Sequence, residues 1–170
     1  TVNSKLIIAT LITVICMVWI SMQGKPLKQP STPMGIVSIE LAYTVPKAQL
    51  VINSWQLTNV MAVARQNIYI DFLFIISYCT TLILAVLAST KPQNLAVKKA
   101  GKAFIIAILI AGTCDIFENG WLLQLLAGNI TPLPVAAAAI FATIKFSLIV
   151  ITLLFLLYWL MHSQLIKKAK

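Results

Sequence analysis

Histidine is almost missing from this chain, with one in 170 residues, and acids are scarce, with four Asp and Glu against 13 Lys and Arg. His162 alone cannot supply the several His or Cys ligands of an intramembrane zinc hydrolase or a pair of axial haem ligands. Cys16, Cys79 and Cys114 fall inside apolar runs with no C-x-x-C spacing. That pattern indicates neither a zinc centre nor a disulfide framework, and all three read as small buried hydrophobes. No Gly-rich phosphate loop, G-x-S-x-G turn or paired Ser and His occurs within the apolar segments. The residues point to no metal site and identify no cofactor. Carboxylates alone would suit Mg²⁺ or Ca²⁺, but nothing in the pattern requires either.

What the chain has in abundance is apolar length. Hydrophobic residues make up 60% of it, charged residues 10%, and the mean hydropathy is +0.95, a composition for lipid rather than water. A hydrocarbon core of about 30 Å takes roughly 20 mostly apolar helical residues, and residues 6–22, 68–89, 103–127 and 135–161 reach or approach that length. The predicted architecture is all-α, a single integral-membrane domain over 1–170 built as a four-helix bundle. An outer loop and an interfacial helix occupy 23–67, between the first and second spanning helices. The first segment has the basic start and apolar core of a signal peptide. Its exit, ISMQGK over 20–25, lacks a small-x-small cleavage site, and Trp19 stands where an interfacial anchor would, so the segment is expected to be retained.

A net charge of +9 would suggest nucleic acid for a soluble chain, but here the cations sort by topology. With a cytoplasmic N-terminus, Lys5, Lys91, Lys98, Lys99, Lys102, Lys167, Lys168 and Lys170 lie inside, and Lys25, Lys28, Lys47 and Arg65 lie outside. That excess favours a multi-pass chain with both termini in the cytoplasm. Membrane lipid, not nucleic acid, is the expected partner, and the loop lysines fix topology and attract anionic headgroups. Tyr158 and Trp159 mark the inner interface, and His162 beyond them reads as an interface residue.

Residues 23–33 are rich in Pro, Lys, Gln, Ser and Thr and are expected to form a solvated loop. Residues 35–42 (GIVSIELA) are too short to span and are expected to lie against the outer ends of the bundle, with Glu40 either turned inward or solvated. Pro46 suits a first helical turn, and 48–67 contains no Gly or Pro, which predicts an interfacial helix running unbroken into the second span. The tight turn at 128–134 (GNITPLP) makes the third and fourth spans antiparallel neighbours. Asn129 and Thr131 match a glycosylation sequon weakly, with Pro132 directly behind.

The sharpest feature lies in the third span, at 112–122 (GTCDIFENGWL). Asp115, Glu118 and Asn119 share one helical face, and a charge at mid-bilayer costs at least ~2.5 to 3.5 kcal/mol. Partners are therefore implied. Counted from the outer turn at ~1.5 Å per residue, Glu118 and Lys145 both lie ~15 Å deep on antiparallel neighbours, which predicts an ion pair. Asp71 enters the second span with Phe74 and Tyr78 on its face, either as an interfacial carboxylate or as part of an internal cluster. All four acids, Glu40, Asp71, Asp115 and Glu118, fall in the outer half of the bundle or at its rim, against Lys145 and Arg65. If they share one cavity, at least one must be protonated or a cation must be bound.

Residues 32–42 (TPMGIVSIELA), 71–74 (DFLF) with Tyr78, and 111–119 (AGTCDIFEN) resemble a pattern in small bacterial four-helix inner-membrane proteins. That family carries a D-x-x-E-N motif in its third helix and has no assigned function. The resemblance implies a bacterial inner membrane and a shared polar site, and it carries over no substrate or catalytic residue. The expected function is a buried, outward-facing acidic site for a small polar, cationic or lipid-headgroup ligand. Asp115, Glu118 and Asn119 would accept from the ligand, Asp71 and Glu40 would form the mouth, Lys145 would balance charge, and Tyr78 or Trp121 would wall the site. Transport would call for a homo-oligomer, because four helices without an inverted repeat make a poor carrier. Two alternatives stay open: an accessory subunit of a larger membrane complex, whose charges serve packing, and an intramembrane enzyme acting on lipid headgroups.

Overall fold

The computed structural model describes residues 2–90 and 95–168. They form α1 (Val2–Gln23), α2 (Val37–Glu40), α3 (Val45–Leu57), α4 (Met61–Thr90), α5 (Leu95–Leu126) and α6 (Pro132–Lys168), with a 3-10 turn at Lys25–Leu27. No strand occurs among the described residues, so the fold is all-α. Residues 91–94, among them Lys91, and the terminal Lys170 lie outside the described residues, as do the side chains of His162, Lys167 and Lys168.

Helices α1, α4, α5 and α6 are long and apolar enough to cross a membrane. The qualifying stretches of α4, α5 and α6 are each 30 residues long, about 45 Å at 1.5 Å per residue. They outrun the apolar segments read from the sequence because nothing breaks the helix where polarity begins. Residues 61–67 (MAVARQN) at the head of α4 contain no Gly or Pro.

The long helices run up, down, up, down. α1 packs on α4, α4 on α5 and α5 on α6, and cross-helix bonds fix the antiparallel registers. Thr13 meets Thr81 at 2.9 Å between α1 and α4, and Tyr78 meets Asp115 between α4 and α5. Each inner helix buries one stripe at helical spacing: Ala64, Ile68, Ile75, Tyr78, Leu82 and Val86 on α4, and Ala111, Asp115, Glu118, Leu122 and Leu125 on α5. α6 contributes the small residues Ala138, Ala139 and Ala142 with Lys145 one turn on, which lets its backbone approach α5 closely. Among the described side chains of α1, Ala9 is buried and most of the others are exposed.

α2 and α3 close the end of the bundle opposite the termini. There the continuous helix expected over 48–67 is broken. Thr58 and Asn59 end α3: Val60 N–H donates to the Trp55 carbonyl at 2.9 Å and Asn59 N–H to Gln56 at 3.1 Å, with Asn59 at φ +57°. This is a Schellman ending, and Asn tolerates its left-handed position better than most residues, so absence of Gly and Pro did not guarantee continuity. The segment 23–33 also departs from a solvated loop. Leu27 and Thr32 are fully buried, and the Leu27 carbonyl accepts from both Thr32 Oγ1 at 2.7 Å and Trp55 Nε1 at 3.1 Å. Trp55 thus anchors an apolar cap with Ile39, Ile52, Ile68, Leu122 and Val135.

Helices α4 and α5 touch where a glycine permits it. A Cβ at Gly112 would stand 2.7 Å from Cys79 Sγ, closer than carbon and sulfur can sit. Gly112→Ala is expected to cost about 1 to 3 kcal/mol through overpacking, and Cys79→Ala in the same chain to recover most of it. Thermal unfolding of the single and double variants in detergent checks this.

Candidate functional site

Lys145 reaches from α6 into the bundle and is 5% exposed. Its Nζ donates to Asp115 Oδ1 at 2.7 Å, lies 2.8 Å from Glu118 Oε2 and stands 3.9 Å from Glu40 Oε2. The expected Glu118–Lys145 ion pair is present, and two further carboxyl groups join it. Asp115 Oδ2 accepts from the Tyr78 hydroxyl at 2.9 Å, and Asn119 Nδ2 donates to Asp71 Oδ2 at 2.8 Å. The cluster therefore ties α2, α4, α5 and α6 together.

Backbone geometry delivers Glu40. Gly35, at φ +62°, turns the chain into α2 in a conformation other residues seldom adopt, and α2 packs against α5 and α6. Tyr43, at φ +56°, follows directly, and its hydroxyl bonds Thr143 Oγ1 of α6. Glu40 is thereby turned inward, 7% exposed, with Oε2 lacking any hydrogen-bond partner. Burial pushes its carboxyl above the usual range, the Lys145 charge opposes this, Asp115 adds to it, and the neighbouring Glu118 carboxyl draws it down. Glu118 is fully buried, and its Oε1 likewise has no partner in the protein.

A cavity of about 260 Å³ opens onto this cluster. It is lined by Glu40, Asp71, Asp115, Lys145 and Tyr78 of the cluster, by Met17 and Ile20 of α1, by Phe146 and Ile149 of α6, and by Lys28 and Asn67. No family model, curated protein or solved structure matches this chain. Among the described residues no group of three His, Cys, Asp or Glu side chains is disposed to hold a metal ion. Lys145 Nζ occupies the centre of the carboxyl groups instead.

Sequence and structure part at four residues: Glu118 and Asn119, expected as ligand acceptors, join the cluster but do not line the cavity, and Trp121 and Arg65 lie elsewhere. Trp121 does not wall the site; it packs in the apolar cap. At 100° per residue it lies 240° around α5 from Asp115, on the other flank of the buried stripe. Arg65, counted as a second cation for the acids, instead donates from Nη2 to the Leu126 carbonyl at 3.1 Å, where a cation complements a helix C-terminus. One ammonium thus faces the carboxyl groups. Several neighbours went unread. Asn67 shares the Asp71 face at i−4 and locks α1 to α4 through Ile20 O at 2.9 Å and Gln23 Oε1 at 2.7 Å. Lys28, Met17 and Phe146 sit in stretches whose pattern singles out no face.

Removing one partner of a buried ion pair costs about 3 to 5 kcal/mol. Lys145→Met is expected to lose stability on that scale and Glu118→Gln less, with the double variant clearly more stable than the sum of the losses. Thermal unfolding of the four-protein cycle measures the coupling. Because the folded chain holds the Glu40 proton above the usual 4.5, it keeps that proton where the unfolded chain has lost it. The stability owed to this group is therefore full below about pH 4.5 and declines as pH rises through the folded value. Glu40→Gln is expected to flatten that part of the stability–pH profile, read by unfolding across the range.

Proposed function

We propose that this chain is a multi-pass protein of a bacterial inner membrane whose acidic cavity binds a ligand bearing a cationic or polar group. α2 and α3 would face outward and both termini the cytoplasm, in keeping with the lysine distribution. α3 suits an interfacial position: Gln49, Asn53 and Gln56 share its exposed surface with Leu50 and Leu57, the latter 85% exposed.

The observation that carries the binding reading is a cavity ending on a buried acceptor, Glu40 Oε2, that the protein leaves without a hydrogen-bond donor. A purely structural network would close on itself, because each buried unpaired acceptor costs roughly 1 to 3 kcal/mol. Here Glu40 Oε2 has no donor, and three carboxyl groups surround one ammonium. A ligand with N–H or O–H donors would satisfy both the acceptor and the charge.

Native mass spectrometry of the protein, gently extracted from its own membrane, tests this. The expected result is one small molecule or lipid per chain, lost in Asp115→Asn. A protein partner retained with no small molecule would overturn the reading in favour of an accessory subunit.

A further inference from the structure

The cavity has two chemically different ends. One is the carboxyl cluster, in a cavity that Lys28 also lines. The other is a seam: α1 leans on α4, α6 leans on α5, and between α1 and α6 the cavity is walled by Met17, Ile20, Phe146 and Ile149. Met17 is half exposed on the outer surface of the bundle, and Phe146 is exposed too. A soluble ligand has no need of an apolar side entrance. An amphiphile does, because its tails must stay in lipid while its head reaches polar groups.

We infer that the cavity takes the headgroup of a primary-amine phospholipid, entering sideways between α1 and α6. Its ammonium lies against Glu40, Asp71 and Asp115, and its phosphate against Lys28. This rests on the acidic site binding a cation and adds the ligand's class and its route. Charge complementarity selects the head. Carboxylates with a vacant acceptor call for a cation carrying N–H donors, which a primary ammonium has and a quaternary one lacks. Lys28 makes no ion pair among the described residues and supplies a point charge for the phosphate. An anionic headgroup without an amine would meet the acids unpaired. Size agrees as well. About 260 Å³ falls just under the roughly 300 to 1,000 Å³ of pockets that enclose whole small molecules, which fits a headgroup whose chains remain outside. Glu40 is almost fully buried and lines the cavity, and its Oε2, 3.9 Å from Lys145 Nζ, has no hydrogen-bond partner.

The test is native mass spectrometry of the protein in phosphatidylcholine nanodiscs doped with phosphatidylethanolamine and phosphatidylglycerol. One ethanolamine lipid per chain is expected, retained over the choline and glycerol lipids by about tenfold or more, which corresponds to ~1.4 kcal/mol. Asp71→Asn, which keeps an acceptor for Asn119, is expected to lose that preference. Met17→Trp, a substitution on an exposed surface that narrows the seam, is expected to lose the lipid while free ethanolamine still raises the melting temperature. Equal retention of choline and ethanolamine lipids overturns the amine assignment. Stabilisation by free ethanolamine that depends on Asp71, with no lipid retained, overturns the lipid route and keeps the acidic site. Neither lipid nor free amine bound overturns both.

Discussion

Everything in this fold is arranged around one ammonium group among carboxylates. Lys145 meets Asp115 and Glu118 at 2.7 and 2.8 Å and Glu40 at 3.9 Å, so one side chain of α6 gathers α5 and α2. Through Asp115 the linkage passes to Tyr78 on α4. Such an arrangement is costly, because each ion taken from water loses several kcal/mol of solvation. It holds only where geometry is good and the neighbours exclude water.

Two apolar clusters provide that exclusion. On one side, Trp55 and the folded 23–33 segment seal the end of the bundle; on the other, Ile75, Leu82, Val86 and Ile108 pack α4 against α5. The small residues of α6 and Gly112 of α5 bring the helices close enough for short polar contacts to form. Among the described residues no second cation forms an ion pair with these carboxyl groups. The excess of carboxyl groups and the vacant acceptor on Glu40 leave the site chemically incomplete, and the opening beside α1 leads to that point.

Much of this was legible in the sequence, for a physical reason. Charges within an apolar helix are so unfavourable that Asp115, Glu118 and Lys145 announce a shared site, and a fixed rise per residue places them at one level. The four long helices follow from apolar length alone. Legibility failed where the signal was local or tertiary. Asn59 ends a helix through a conformation that propensity only weakly marks, so the break before α4 was missed. Leu27 and Thr32 are buried by Trp55 from 23 to 28 residues away, which no composition of the 23–33 segment reveals. The cavity walls on α1 were unreadable because that helix is apolar all round, and Arg65 was assigned to the acids by charge when its partner is a carbonyl.

The measurement that tests the central claim most directly is an experimental density map of the chain in nanodiscs of its native lipid. The expected map shows Lys145 Nζ within hydrogen-bond distance of Asp115 and Glu118, and ligand density running from Glu40 out between α1 and α6. A map in which α1 lies closed against α6, with Glu40 turned away from Lys145 and no density at the carboxyl cluster, would contradict it.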